Sequence, residues 1–234
     1  MSLFPLCRQS NSELTELSSE MRRIASASKG AIVVWRMFGA TRTASVARML
    51  SVMVIISIGD DPIRATAPPE RNVTEVNPKA RVPTLVRDDG SVLTEFPAIA
   101  LWLGRTNPEA HLIPEDLEGE VRTAEAMDYC VATLHMQGFS RLFYAKRAKT
   151  PEEAESHANI GKGILARGFE RIEAMLSGKD WLTGVYSAAD SALFYVCMWA
   201  TNFGLELPPN VCAHMARMKE RPAVKAALTQ EGLA

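Results

Sequence analysis

The chain has 234 residues, 47% of them hydrophobic, and 26 Lys and Arg against 27 Asp and Glu leave a net charge of -1. That is enough apolar material for a sizeable core, and enough length for one large or two small domains. The charge balance gives no reason to expect nucleic acid or an acidic membrane surface as partner, and no apolar run approaches the roughly 18 residues of a membrane span.

Residues 1–30 read as an appendage. Ser10 and Glu13 have capping-box spacing, and Leu14, Leu17, Met21 and Ile24 then fall on one helical stripe. This is either a short amphipathic helix that packs on its own chain or on a partner, or a flexible tail. The patch Leu3-Phe4-Pro5-Leu6 is too short for an export signal, and Glu13, Glu16 and Glu20 argue against a transit peptide.

From Ala31 the pattern changes. Residues 31–35 form an apolar run of strand length. Gly39 breaks it, and Ala44, Ala47, Leu50 and Met53 then share one face of a helix. Residues 54–58 read as a second buried strand. A polar loop carrying Pro62, Pro68 and Pro69 leads to Asn77-Pro78. Residues 84–87, the turn Asp88-Asp89-Gly90 and residues 92–94 read as a hairpin, with glycine where a left-handed residue is wanted. A helix follows from about Pro97, a good first-turn residue, and Gly104 is its expected stop. Residues 105–117, with Pro108 and Pro114, read as a linker. Beyond it only helical patterns occur, over 118–136, 154–176, 188–201 and 213–220. Strands segregated before helices predict an α+β chain of two domains, 31–107 and 118–234.

Cys7, Cys130, Cys197 and Cys212 form no CxxC pair and match no zinc spacing, so no metal is expected. Cys197 lies in the apolar run 192–200, where a buried reduced thiol is the natural reading. A reducing, cytoplasmic setting is therefore expected. Ser187 and Asp190 have capping-box spacing, with Asp in place of Glu or Gln. They are read as a folding element without chemistry.

The order β-α-β, loop, β-β-α, then helices resembles the glutathione transferase family, and within it the bacterial beta class. Four stretches carry the resemblance. Residues 77–85 (NPKARVPTL) look like the family's NPxGxVPxL. Residues 93–99 (LTEFPAI) are similar to its LTE(S/G)xAI. The third runs from Asp128-Tyr129 through His135 to Gly138-Phe139-Ser140-Arg141-Leu142-Phe143. The fourth is Ser187-Ala188-Ala189-Asp190, followed by residues 218–222 (MKERP). The resemblance implies a thioredoxin-like N-terminal domain and an all-helical C-terminal domain.

It also implies a site for glutathione. The family holds the proline at Pro83 cis, so Val82, next to Arg81, would pair its backbone with the cysteinyl unit of glutathione like an added strand. Glu95 and Phe96 precede a helix whose N–H groups suit the γ-glutamyl carboxylate, with Glu95 facing the ligand's ammonium group. Glu95 also reads as a cap that favours the helix dipole, and both roles can hold together. Phe96 departs from the family's Ser or Gly, keeping the backbone donor while losing a hydroxyl and adding bulk. Asp128 replaces an Asn that in the family reaches the partner subunit's glutathione.

The beta class carries a cysteine where this chain has Thr41, within Gly39-Ala40-Thr41-Arg42-Thr43-Ala44-Ser45. Disulfide chemistry at that residue is thereby excluded, and a hydroxyl remains. A free thiol has a pKa of about 8.5, and bringing it down by one or two units takes about 1.4–2.7 kcal/mol. One hydrogen bond to a charged group supplies about 1.5–3 kcal/mol. Thr41 is thus either the donor to a glutathione thiolate or only a helix N-cap. His135 matches the beta-class histidine near the thiol, and is either catalytic or a satisfied structural residue. The expected activity is addition of glutathione, as co-substrate, to a hydrophobic electrophile held near Phe139, Phe143 and Tyr144, in a homodimer. The alternatives are a fold-keeping protein that binds glutathione or a partner without turnover, or another glutathione-dependent reaction such as dehalogenation, isomerisation or peroxide reduction.

Overall fold

A computed structural model describes residues 31–34, 57–58, 61–62, 77–79, 83–87 and 91–230. The readings made above of residues 1–30, the helix at 44–53 and the turn 88–90 lie outside these, as do Thr41, Arg81 and Val82.

Three strands form an antiparallel sheet in the order β1 (Ala31–Val34), β4 (Thr84–Arg87), β5 (Val92–Thr94). Thr84 pairs with Val34 on one side and with Thr94 on the other. Of the strand read at 54–58, the described part is β2 (Ser57–Ile58), which pairs antiparallel with β3 (Asp61–Pro62) in a separate two-stranded sheet. Only Gly59 and Asp60 separate the two in sequence, a pair that favours a local hairpin and was passed over above.

Helix α1 (Phe96–Thr106) follows the hairpin directly and buries Phe96, Ile99, Ala100, Leu103 and Gly104, one face at helical spacing. The expected stop at Gly104 is wrong by two residues. The glycine allows a close approach instead: a Cβ there would lie 2.5 Å from Cγ1 of Ile113. The segment read as a linker is accordingly packed. It contains a 3-10 turn (Pro108–Ala110), buries Leu112 and Ile113, and its Leu112 carbonyl accepts from the Ala188 N–H at 2.8 Å.

The rest is helical. Asp116 caps α2 (Leu117–Asp128) through a hydrogen bond from the Gly119 N–H at 2.8 Å. The reading of one helix over 118–136 is corrected here. At Tyr129 the chain passes into a π-helix (Tyr129–Phe139), then into the short α3 (Ser140–Ala145). The buried positions Cys130, Leu134 and Gly138 recur every fourth residue. Thr150 caps α4 (Pro151–Met175), whose Gly168 faces Leu134 so closely that a Cβ would collide with that side chain.

Helix α5 (Ala188–Asn202) is the centre of the core, with twelve of its residues buried. Its capping box is present as read. Asp190 does more than cap. Its Oδ1 accepts from the Leu182 N–H at 3.0 Å and from His214 Nε2–H at 2.9 Å, and its Oδ2 from the Ser187 N–H at 2.9 Å, all without solvent exposure of either side chain. His214 belongs to α6 (Pro209–Glu220), which starts four residues earlier than read. A last helix, α7 (Pro222–Gln230), was not anticipated.

Candidate functional site

The site residues fall into two groups. The first lies at one end of the three-stranded sheet. Asn77 is buried; its amide nitrogen donates to Thr84 Oγ1 at 3.1 Å, and its amide oxygen accepts from the Lys79 N–H at 3.0 Å. This ties the Asn77-Pro78 turn to the start of β4. Because Thr84 faces Thr94, the buried Pro83 and the exposed Glu95 are the next residues outward on the two strands and share one edge.

Glu95 has φ 72°, which a residue with a Cβ adopts only at a cost of about 1–3 kcal/mol. Its carboxylate makes no capping bond to α1; only its backbone carbonyl joins the helix, accepting from the Ile99 N–H at 3.0 Å. Glu95 is thus the N-cap residue of α1 through its backbone and not through its side chain. The carboxylate turns outward and accepts from Lys79 Nζ at 2.7 Å, while Lys79 also donates to Thr94 Oγ1 at 2.8 Å. The strained backbone thus presents an acidic group beside a helix N-terminus, where the Phe96 and Ala98 N–H groups open the first turn and Pro97 offers none. Phe96, 4% exposed, sends its ring into the core with Ile99 and Leu103, so its bulk stays off this edge.

The second group sits in the helical half. His135 lies in the π-helix against α5. Its ring meets Tyr195 and Trp199 edge-on, with centroids 5.2 and 4.8 Å apart, and its Nε2 is 3.1 Å from the Tyr195 hydroxyl. Its Nδ1 is buried without a hydrogen-bond partner. Burial holds His135 down at a pKa of about 4, so it is neutral at physiological pH. Burial raises the Tyr195 hydroxyl well above its usual range.

Phe139, Phe143, Trp199 and Phe203 continue the same aromatic wall. Phe139 is fully buried, Phe143 half-buried and Tyr144 exposed, with Tyr144 packed on His157 rather than on this wall. Asp128 is exposed at the last turn of α2, immediately before the π-helix. The structure thus brings together Pro83, Glu95 and the start of α1 in one place, and His135, Phe139 and Phe143 in another. Tyr195, Trp199, Phe203 and Lys79 escaped the sequence reading. Tyr195 and Trp199 are four residues apart on one helix, as are His135 and Phe139 in sequence, and that matched spacing was the available signal.

Cys130 and Cys197 are free and fully buried, and burial raises both thiols, so neither is a ready nucleophile. Among the described residues no cluster of His, Cys, Asp and Glu has the makings of a metal site, and no helix is long and apolar enough to cross a membrane.

Comparison with known proteins places two family models on the chain: "Glutathione S-transferase, N-terminal domain" over residues 46–106 and "Glutathione S-transferase, C-terminal domain" over residues 131–222. Among curated relatives, "Glutathione S-transferase GstA" of Escherichia coli O157:H7 is 36% identical over 162 residues, 68% of this chain and 77% of that protein. Among solved structures, a bacterial beta-class glutathione S-transferase of Sphingomonas chungbukensis is 25% identical, with a TM-score of 0.66, covering 83% of this chain and 98% of that one. A sphingomonad glutathione S-transferase solved with glutathione is also 25% identical, with a TM-score of 0.62, covering 82% and 96%.

Proposed function

The chain belongs to the glutathione S-transferase family, and from that premise we propose that it binds glutathione at the Pro83–Glu95 edge and transfers its thiolate to a hydrophobic electrophile. The observation that carries this is the strained, outward-turned Glu95 carboxylate beside the first turn of α1. Strain of this kind persists where the surroundings enforce it and the geometry is used. Glutathione presents a complementary head: an ammonium group for the carboxylate and a carboxylate for the helix N–H groups. Arg81 and Val82 would hold the cysteinyl unit, Val82 by backbone pairing beside Pro83. Asp128 would meet the ammonium group of glutathione in a partner subunit, which makes the working form a homodimer.

Chemistry needs the thiol ionised. Its proton leaves to solvent and the sulfur stays as an anion, stabilised by the Thr41 hydroxyl. The thiolate attacks the electrophilic carbon, a carbon–sulfur bond forms, and the leaving group departs with the displaced electron pair. Phe143 would contact the apolar part of that substrate, with Phe139 behind it on the shared Trp199 and Phe203 rings, and Tyr144 would reach it from its separate place on His157. Catalysis in a reducing cytoplasm fits the two buried free thiols.

The test is calorimetric titration with glutathione. Dissociation at millimolar concentration or below is expected, weakened more than tenfold by Glu95→Ala with the fold intact, as for loss of a partner to a charged group at about 2 kcal/mol. No binding to the wild-type protein overturns the proposal.

A further inference from the structure

The aromatic wall of the helical half runs from the core to the surface and ends on a cation. Phe139 is fully buried, Phe143 and Phe203 are half-buried, and Lys146 is exposed. The Phe143 and Phe203 rings meet edge-on with centroids 5.1 Å apart, and the Lys146 ammonium lies 4.2 Å from the centroid of that same Phe203 ring. Lys146 is the C-cap of α3 and stands three residues after Phe143, so the two share one face of that helix. The quadrupole of the ring attracts the ammonium and fixes a long, flexible side chain at the outer end of the wall.

That contact leaves the charge unanswered. Lys146 Nζ makes no ion pair and no hydrogen bond among the described residues, whereas Lys79 and Lys225 each have a carboxylate at 2.7 Å. The sequence supplies the reason: residues 129–151 hold no Asp or Glu, while Arg141, Lys146, Arg147 and Lys149 fall within them. Glu153, in the first turn of α4, accepts from the Lys149 N–H instead. Phe203 is also the C-cap of α5, and a helix end of that polarity favours a cation, but its charge of about one half does not balance a whole one. A face of apolar rings ending on an unbalanced ammonium is matched by a ligand of the same build and the opposite charge.

On the reading of the chain as a glutathione transferase, we propose that its electrophile is an arene carrying an anionic group, a carboxylate being the simplest: the ring lies on Phe143 and Phe203, and the carboxylate accepts a hydrogen bond from Lys146. Lys146 is then a specificity-determining residue for the second substrate. With para-chloro-meta-nitrobenzoate, the thiolate sulfur bonds to the carbon that carries chlorine. The carbon–chlorine bond breaks, chloride leaves with the electron pair, and the carboxylate is unchanged.

The experiment compares that acid with para-chloro-meta-nitrobenzamide, its uncharged counterpart of the same shape, in the wild type, Lys146→Met and Lys146→Arg. Each kcat/KM is divided by the rate with free glutathione, which removes the difference in reactivity. Methionine keeps an apolar stem over Phe203 and removes the charge. The wild type should favour the acid about tenfold or more, as for one hydrogen bond to a charged group. Lys146→Met should abolish the preference with the amide rate unchanged, Lys146→Arg should keep it, and added salt should weaken it. Calorimetric titration of both compounds into protein saturated with S-methylglutathione, which cannot react, reads the same preference without turnover. Equal values for acid and amide in the wild type, or a preference that survives in Lys146→Met, overturn the inference and leave the transferase reading standing. Where neither compound is conjugated, the titration decides in the same way. Absence of glutathione binding to the wild type overturns the transferase reading, and the inference falls with it.

Discussion

In the helical half, Asp190 is fully buried and its two oxygens accept from Leu182, Ser187 and His214; at the sheet edge, Glu95 is largely exposed and has one cation beside it, on a backbone of positive φ. Both carboxylates stand at the start of a helix. One holds three segments of the chain together, because donors from Leu182, Ser187 and His214 converge on it in the core. The other contributes little to the fold, since an exposed pair is worth about 0–1 kcal/mol and the strained backbone offsets even that. A carboxylate that the fold does not need, kept in a conformation the fold must enforce, is available for a ligand. That contrast separates the structural acid from the one proposed to meet glutathione more sharply than burial alone.

The comparison breaks most visibly at Asp190. Asp190→Ala should cost about 3–5 kcal/mol, read as a lowered midpoint in urea unfolding, whereas Lys79→Ala should cost no more than about 1 kcal/mol. Equal effects would mean that the two acids are not held differently.

His135 sharpens the same contrast through pH. Its folded pKa of about 4 lies below the unfolded value of 6.5, so the unfolded state binds the extra proton between those values. The His135 contribution is fully present above pH 6.5, falls as pH drops, and is gone by about pH 4, a loss of about 3 kcal/mol. Unfolding titrations at a series of pH values should show this slope in the wild type. In His135→Gln it should flatten by that amount between pH 6.5 and 4. An unchanged slope would mean the ring is protonated in the folded protein.

Much of this was legible beforehand, for identifiable reasons. The Ser187 and Asp190 capping box, the hairpin of β4 and β5 and the burial of Cys197 follow from local spacing and hydrophobicity, which a sequence displays directly. The roles of Asp190 beyond the cap did not follow, because His214 and Leu182 reach it through folding and not through spacing. Gly104 misled for a related reason: glycine marks a helix end and a close approach equally well, and only Ile113, nine residues on, decides between them. The π-helix left no distinct mark in the sequence, since the recurrence of Cys130, Leu134 and Gly138 at every fourth residue also suits one stripe of an α-helix. The strain at Glu95 has no sequence signature, since positive φ there comes from how the strand meets α1.

At Glu95 the comparison yields a smaller effect of opposite sign. Glu95→Gly relieves the positive φ and should leave stability unchanged or raise it by about 1 kcal/mol, while glutathione binding weakens more than tenfold. Thermal melting and calorimetry on one preparation check both. A variant that loses stability together with binding would place Glu95 among the structural acids.

The central claim is the proposal that the Thr41 hydroxyl lowers the thiol pKa of bound glutathione. Ultraviolet titration of the thiolate in the glutathione complex tests it most directly, with wild type and Thr41→Ala side by side. The account predicts that the bound thiol titrates roughly one to two units below its free value of about 8.5 in the wild type and returns toward that value in Thr41→Ala, with conjugation at neutral pH slowed by about one to two decades. Identical titrations, with Thr41→Ala losing about 1 kcal/mol of stability instead, would contradict it and leave Thr41 as a helix cap.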